Sequence, residues 1–506
     1  MLKDKGKVWL VGAGPSDAGL ITVKGLKVLN MADVVVFDRL VGVEILNMIP
    51  KTAKKIDVGK NSGNHSVPQE EINRILLREG LAGNIVVRLK GGDPFLFGRG
   101  GEEIVLLAEN DIPYEIIPGI TSAISVPAYA GIPVTHRDCC SSLHIITGHT
   151  KKAGAPDIDF EALVKLKGTL VFLMGISSLT SICSGLMRAG MPSDMPVAVI
   201  EKGTTARQRK LVSCIGNLAE EAEKNNIQAP AIIIVGTVCS LSKEFEWAEK
   251  RPLHGKRVIV TRPEMLCSTL SEKIRSLGGE AIEFPCIRTF PLKINPALDG
   301  AIAHLRDYNW LVFTSVAGVE FFLEKLKEEG KDIRELFGLK LAAIGSGTEK
   351  AFLQRGVRVD LVPSVYNART LGEELAERVG QGEKVLLLRA EEGSPELTEV
   401  LSSSGVNYSE VPVYKTVFNS DNSEFSREII EKGLFDFAAF TSGSTVKGFV
   451  RALPDLDFSN ITAVCIGEQT AMEAKKQGMK VVVSQKATID SLVEAIKGYS
   501  FQSVNI

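Results

Sequence analysis

The stretch RLKGGDPFLFGRG, Arg88 to Gly100, decides how the first half of the chain is read. It follows Ile85 to Val87, an apolar β-branched run that reads as a buried strand. It precedes Glu102 to Asn110, where Ile104, Leu107 and Ala108 keep helical spacing. The glycines therefore fall at the carboxyl end of a strand, where open α/β sheets take their ligands. Gly91 and Gly92 let the backbone approach a ligand with no Cβ in the way. Asp93, biased to an extended conformation by Pro94, can aim its carboxylate into the crevice. Arg88, Lys90 and Arg99 add positive charge. The alternative is a tight turn with no ligand, and the neighbouring motifs decide between the two.

Composition narrows the classes. A chain of 506 residues is too long for one core and predicts three or four domains. Its 44% apolar and 24% charged content is that of a soluble globular protein. The formal net charge of −2 supplies no global basic field for nucleic acid or an anionic membrane. The eight cysteines contain no Cys-x-x-Cys, which fits reduced thiols in the cytoplasm. Val8 to Val11 is too short for a signal core, and no apolar run approaches the roughly 18 residues of a membrane span. The expectation is a cytoplasmic protein that meets anionic ligands through local Lys and Arg clusters.

Upstream, KVWLVGAGPSD (Lys7 to Asp17) is a strand running into a glycine turn. A dinucleotide G-x-G-x-x-G would need glycine at position 17, which is Asp17, and Pro15 stiffens the turn. This disfavours a nicotinamide oxidoreductase. The strand Ala32 to Val41 ends in Asp38-Arg39, a carboxylate beside a guanidinium that also reads as a surface ion pair. The polar loop Val58 to Gln69 carries Lys60 and closes with Ser66 and Gln69 at capping-box spacing. Downstream, Pro118 to Arg137 is dense in small residues and hydroxyls, with Thr121 and Ser122 after a Pro-Gly turn. His136 to His144 matches no common zinc-ligand spacing, and Cys139 and Cys140 read as buried thiols. A polar segment, Lys151 to Asp159, leads to three further strands, Thr169 to Gly175, Met195 to Thr204 and Pro230 to Gly236.

In this order, GAGPSD, ADVVVFDRLV, VGKNSGNHSVPQ, RLKGGDPFLFGRGGEE, PGITSAISVPAYAGIPVTHR and VFLMG resemble uroporphyrinogen-III C-methyltransferase over about residues 5 to 248. The resemblance implies a two-lobed α/β tetrapyrrole methylase that binds S-adenosylmethionine between its lobes and uses no metal. Carried over motif by motif, it puts Pro15, Gly91, Gly92, Asp93, Leu96, Thr121, Ser122, Met174 and Gly203 at cofactor-binding positions. Asp38 and Lys60 match the family's proposed proton acceptor and donor, and Arg39, Arg99 and Arg137 lie where a carboxylate-ringed porphyrinogen would be met. Ser16 departs from the usual glycine and Phe37 from the usual tyrosine before the aspartate. A homodimer through this half is also implied.

The chain turns polar through Ser240 to Gly255, a linker, and KRVIVTRPE (Lys256 to Glu264) begins a new domain. The second half repeats itself. VFTSVAGVEFF recurs as AFTSGSTVKGF, and AAIGSGTEKAF as AVCIGEQTAMEA, so that Thr314-Ser315 pairs with Thr441-Ser442 and Gly345 with Gly467. Two similar α/β lobes are predicted, with hydroxyls and bare amides ahead of helices that bind anions or simply cap the helices. Phe284 to Leu292 and Glu410 to Phe418 flank the first repeat and are predicted to cross between lobes as a paired-strand hinge, with Tyr414 facing the cleft. VTRP, the two FTS elements, both IG turns and VYKT resemble uroporphyrinogen-III synthase over about 253 to 506. This implies lobe one from about 253–287 plus 416–506 and lobe two from about 290–412. The resemblance gives Tyr414 the task of assisting departure of a hydroxyl.

Together these imply a bifunctional enzyme that cyclises hydroxymethylbilane to uroporphyrinogen III and methylates it twice to precorrin-2, for sirohaem or cobalamin synthesis. The rival is a methyltransferase for another precorrin joined to a non-catalytic two-lobed binding module.

Overall fold

A computed structural model describes residues 5–59, 67–148, 158–419 and 421–502, with backbone alone at 264, 265, 268 and 500–502. The fold is mixed α/β, as the sequence predicts. Its first sheet is wholly parallel: β1 (Lys7–Gly12), β2 (Val34–Phe37), β3 (Lys54–Asp57), β4 (Ile85–Lys90) and β5 (Tyr114–Ile117), in the order β3-β2-β4-β1-β5. Side chains alternate across a strand. On β4, Val86 joins one core with Val8, Leu10, Ile72, Leu76 and Leu107, while Val87 and Leu89 join another with Val11, Val35 and Ile45. Apolar residues on both faces are what a helix-covered parallel sheet requires.

The second sheet contains β6 (Leu143–Thr147), β7 (Thr169–Leu173), β8 (Pro196–Glu201), β9 (Arg209–Cys214) and β10 (Ala231–Val235), in the order β6-β7-β10-β8-β9. Only β6 and β7 run parallel; the other neighbours are antiparallel.

The later strands are β11 (Arg257–Val260), β12 (Glu280–Glu283), β13 (Ile287–Pro291), β14 (Trp310–Phe313) and β15 (Lys340–Ala343). They continue with β16 (Lys384–Ala390), β17 (Asn407–Phe418), β18 (Phe437–Phe440), β19 (Thr462–Cys465) and β20 (Lys480–Val483). Two sheets result, β12-β11-β18-β19-β20 and β13-β17-β16-β14-β15. The two predicted hinge stretches do pair: β13 runs antiparallel to the end of β17, with Ile287 opposite Phe418 and Pro291 opposite Tyr414. The earlier part of β17 runs parallel to β16.

The helices that border the candidate sites are α1 (Gln69–Leu81), α2 (Gly100–Glu109), α3 (Ser122–Tyr129) and α4 (Glu264–Ser276). They continue with α5 (Val316–Glu328), α6 (Ser346–Leu353), α7 (Gly443–Ala452) and α8 (Glu468–Lys476). The two sequence repeats carry the same elements, β14-α5-β15-α6 and β18-α7-β19-α8. By backbone proximity the chain forms two compact units. One is Met1–Val258 with Glu272–Ile282 and Ser423–Phe435; the other is Ile259–Ser271 with Glu283–Asn422 and Asp436–Ile506. Among the described residues no helix is long and apolar enough to cross a membrane.

Two local expectations need correction. The capping box before α1 does not form as predicted: the helix starts at Gln69 with Pro68 as N-cap, so Gln69 is too early to be the third helical residue. Its amide instead reaches Asn73 Oδ1 at 3.0 Å, and Ser66 lies outside the described residues. The segment from Ser240 is also more than a linker. Ser242 is buried and donates to the Ala130 carbonyl, and Trp247 Nε1 donates to the Ala128 carbonyl at 2.8 Å with its ring 5.1 Å from Tyr129. An aromatic ring and an indole N–H that needs a partner when buried outweigh local polarity.

Candidate functional sites

In the first half, the turns after β1, β4 and β5 converge. Gly14 and Gly92 exchange backbone hydrogen bonds of 3.1 and 2.7 Å. A Cβ on Gly119 would stand 2.2 Å from the Gly92 carbonyl oxygen, and one on Gly12 would stand 2.4 Å from Gly119 Cα. Only glycine lets three main chains pack this closely. Gly92 has φ +69° and nothing within 4 Å of the Cβ position, so bare backbone faces open space there. Gly91 differs from the expectation: a Cβ would meet Leu40 Cβ at 2.5 Å, so its missing side chain makes room for Leu40 rather than for a ligand.

Asp93 does not reach into the crevice. Its Oδ1 accepts from the Phe95 and Leu96 amides at 2.8 and 3.0 Å, and its Oδ2 accepts from the Gly119 amide at 3.0 Å. The carboxylate clasps two turns and so shapes the cradle indirectly. Thr121 is the N-cap of α3, accepting from Ala123, and Ser122 opens that helix. Ala123 and Val126 of α3 pack on the second sheet against Val171 and Ile232, so the helix that starts beside the glycine turns ends on the other lobe. Gly203 permits this, since a Cβ there would stand 2.3 Å from Val126 Cγ1. Met174, with φ +54°, is 50% exposed and therefore lines a surface, not a core.

A clasp that sequence reasoning missed holds the first turn. The Thr204 hydroxyl donates to the carbonyl of buried Pro15 at 2.5 Å, and the Tyr129 hydroxyl donates to Asp17 Oδ2 at 2.7 Å. Burial and the neighbouring Asp17 carboxylate push the Tyr129 phenol well above its ordinary pKa. Asp17 also caps the Gly19 amide at 2.7 Å, which is the physical reason position 17 carries a carboxylate. Ser16 has φ +105°, a backbone region suited to glycine.

The charges arrange themselves unlike the expectation. Arg88 and Lys90 point to the helix-covered face, where both are buried. Glu103 of α2, wholly buried, accepts from Lys90 Nζ at 2.7 Å and Arg88 Nε at 3.2 Å through Oε1, while its Oε2 has no hydrogen-bond partner. Burial, then the neighbouring Arg88, lowers the Lys90 pKa, and Glu103 opposes them. Asp38 pairs with Arg88, not Arg39: its Oδ2 lies 3.4 Å from Arg88 Nη2, and its Oδ1 accepts from the Leu40 amide at 3.1 Å. Arg39 Nε stands 3.9 Å from Asp57. Arg99 is committed to a two-bond pair with Glu102 on the surface, which raises its pKa. Arg137 is exposed, and Lys60 lies outside the described residues. Cys139 and Cys140 are half-buried rather than buried, and Cys140 Sγ sits 3.1 Å from Thr169 Oγ1. Among the described residues no group of three His, Cys, Asp or Glu side chains is placed to hold a metal ion.

In the second half, the repeated motifs are helix starts. Ser315 and Ser442 are N-caps of α5 and α7, accepting from the Gly318 and Thr445 amides, and Gly345 and Gly467 are N-caps of α6 and α8. Thr314 and Thr441 precede the serines, half-buried. Tyr414 does not face an open cleft. It is 7% exposed, its ring stands 5.9 Å from that of Phe321, and its hydroxyl donates to Ser315 Oγ at 2.9 Å. Burial raises the phenol's pKa. Arg389, unnoticed in the sequence, is buried with Nε 3.3 Å from Glu410.

Residues 7–219 match the tetrapyrrole (corrin/porphyrin) methylases, and residues 268–494 match uroporphyrinogen-III synthase HemD. A siroheme synthase of Escherichia fergusonii is 50% identical over 246 residues, 49% of this chain and 53% of that protein. The crystal structure of a uroporphyrin-III C-methyl transferase from Thermus thermophilus, complexed with S-adenyl homocysteine, is 38% identical. It covers 47% of this chain and 100% of its own, with a TM-score of 0.41. The porphyrin biosynthesis protein HemD of Ruminiclostridium josui is 48% identical over 493 residues, 97% of this chain and 98% of that protein. With a methylase region ahead of a synthase region and this match along its whole length, the chain belongs to the HemD family of porphyrin biosynthesis proteins.

Proposed function

We propose that this chain is a bifunctional enzyme that converts hydroxymethylbilane to uroporphyrinogen III in residues 253–506 and methylates that product twice, to precorrin-2, in residues 1–248. One observation carries the methyltransferase assignment: the backbone cradle at Gly14, Gly92 and Gly119, open only beyond Gly92. Such a surface suits a nucleoside with a cationic sulfur, because main-chain groups hold it without a competing cation. S-adenosylmethionine, when bound, supplies an already activated methyl group. Pro15, Gly92, Leu96, Thr121, Ser122, Met174 and Gly203 would surround it, with Gly91 and Asp93 shaping the turn.

What the protein adds is alignment and charge placement. Asp38, 25% exposed at its side chain and braced by Arg88, either takes the proton lost as the pyrrole recovers or holds the ring N–H groups. Arg39 and Arg137 meet the substrate's carboxylates, Arg99 joins them if Glu102 releases it, and Lys60 donates a proton. In the synthase half, the helix starts at Thr314, Ser315, Gly345, Thr441, Ser442 and Gly467 offer amides to carboxylates, and Tyr414 assists departure of the hydroxyl. A homodimer through the methyltransferase half belongs to the same reading, as does a cytoplasmic setting.

The test has two arms. With a labelled methyl donor, uroporphyrinogen III should take up two methyl groups; an unmodified substrate would point to a later precorrin. With hydroxymethylbilane, the type III isomer should form, and accumulation of type I alone would make the second half a binding module.

A further inference from the structure

Arg262 is the third residue of the VTRP stretch, two residues beyond the end of β11. Its main chain is tied down. The Thr261 hydroxyl donates to the Ala439 carbonyl at 2.8 Å, the Cys286 amide donates to the Thr261 carbonyl at 3.1 Å, and the Cys267 thiol to the Arg262 carbonyl at 3.0 Å. Its side chain has no such company. The guanidinium is half-buried, Nε is enclosed without a hydrogen-bond partner, and among the described residues no carboxylate pairs with it. Burial lowers its pKa, and only the Cys267 thiol opposes that. By contrast Arg88 and Arg389, more deeply enclosed, each face a carboxylate.

An arginine stays charged at any working pH, and withdrawing it from water without a counter-ion is costly. A fold tolerates such a group where an anion is to be received. The bond from Thr261 to Ala439 brings the carboxyl end of β11 beside that of β18. Arg262 therefore stands on the same sheet edge as Thr441 and Ser442, where α7 begins. A planar fork beside the positive end of a helix suits a carboxylate.

We propose that Arg262 is a substrate-binding residue of the synthase half that receives one carboxylate of the linear tetrapyrrole. This rests on the synthase reading above. The experiment compares full-length Arg262→Met and Arg262→Lys with the parent for cyclisation of hydroxymethylbilane. Melting temperature and methyl transfer to uroporphyrinogen III are measured on the same samples. Arg262→Met should raise KM about ten-fold or more, with kcat less affected. Its melting temperature should be unchanged or higher, since an uncompensated charge has gone. Arg262→Lys, which keeps charge without the fork, should fall between. An unchanged KM overturns the inference, and so does a melting temperature that falls in step with activity. If the parent itself forms no type III isomer, the synthase reading fails separately. Calorimetric titration of uroporphyrin III into parent and Arg262→Met then decides the inference: about ten-fold weakening of one site supports it, and identical isotherms overturn it.

Discussion

Glu103→Leu tests the buried charge cluster beneath Asp38. In the parent, one carboxylate oxygen lies 2.7 Å from Lys90 Nζ and 3.2 Å from Arg88 Nε. At an effective dielectric of about 20, each contact is worth roughly 5–6 kcal/mol of attraction before desolvation is charged against it. Desolvation removes most of this, and Oε2 has no partner to soften it. What remains is the cost of breaking the cluster: two buried cations left facing only Asp38, about 3–5 kcal/mol. Glu103→Gln keeps an acceptor but not the charge, and should cost about 2–3 kcal/mol. Because the chain forms two units, a local readout is needed to place the loss at this cluster. Hydrogen exchange followed by mass spectrometry on peptides covering Ile85–Lys90 reports the local opening, with Lys384–Ala390 as reference. The first set should lose protection and the second should not. A loss below about 1 kcal/mol at Ile85–Lys90 in Glu103→Leu would falsify the argument that this carboxylate holds the two cations.

Asp38→Ala should cut methyl transfer while leaving cyclisation intact, measured on one sample with both substrates; equal loss of the two would remove the independent-sites picture. Tyr414→Phe loses the bond to Ser315 Oγ, so about 1 kcal/mol of stability should go and ring closure should slow modestly. An unchanged rate would remove the tyrosine's role in closure. Ser16→Gly relieves a residue at φ +105° and should add about 0.5–1 kcal/mol, read from exchange protection around the turn; destabilisation would mean the hydroxyl matters more than the strain. Burial raises Cys183 to about 11 and Cys465 to about 12, so at pH 8 both remain protonated. Alkylation at that pH should reach half-buried Cys139, Cys140 and Cys214 first, and labelling of Cys183 or Cys465 at the same speed would contradict their burial.

The strands and the repeat were legible because their signals are local. β-branched runs such as Ile85 to Val87 and Ile232 to Ile234 name buried strands wherever they fall, and Thr-Ser and Ile-Gly recur before helices because capping involves neighbours in sequence. The partners of the charged groups were not legible. Asp38 is next to Arg39 in sequence, yet pairs with Arg88. Arg88 and Lys90 read as positive charge near the glycine turn, yet strand alternation turns both onto the face that α2 covers. Glu103 stands one helical turn before Leu107, so the helical period already placed it on the buried stripe. Its significance appears only once α2 is laid across β4.

The amino-acid order by itself determined the secondary structure, the internal duplication and which turns are bare of side chains, because propensity, periodicity and capping act over a few residues. The tertiary structure alone decided where each polar group is spent. Asp93 turns to the Gly119 amide, Gly91 yields to Leu40, and Tyr414 goes into a core against Ser315. A buried carboxylate, amide or phenol takes whichever partner burial leaves within about 3 Å, and that choice depends on segments brought together from far along the chain.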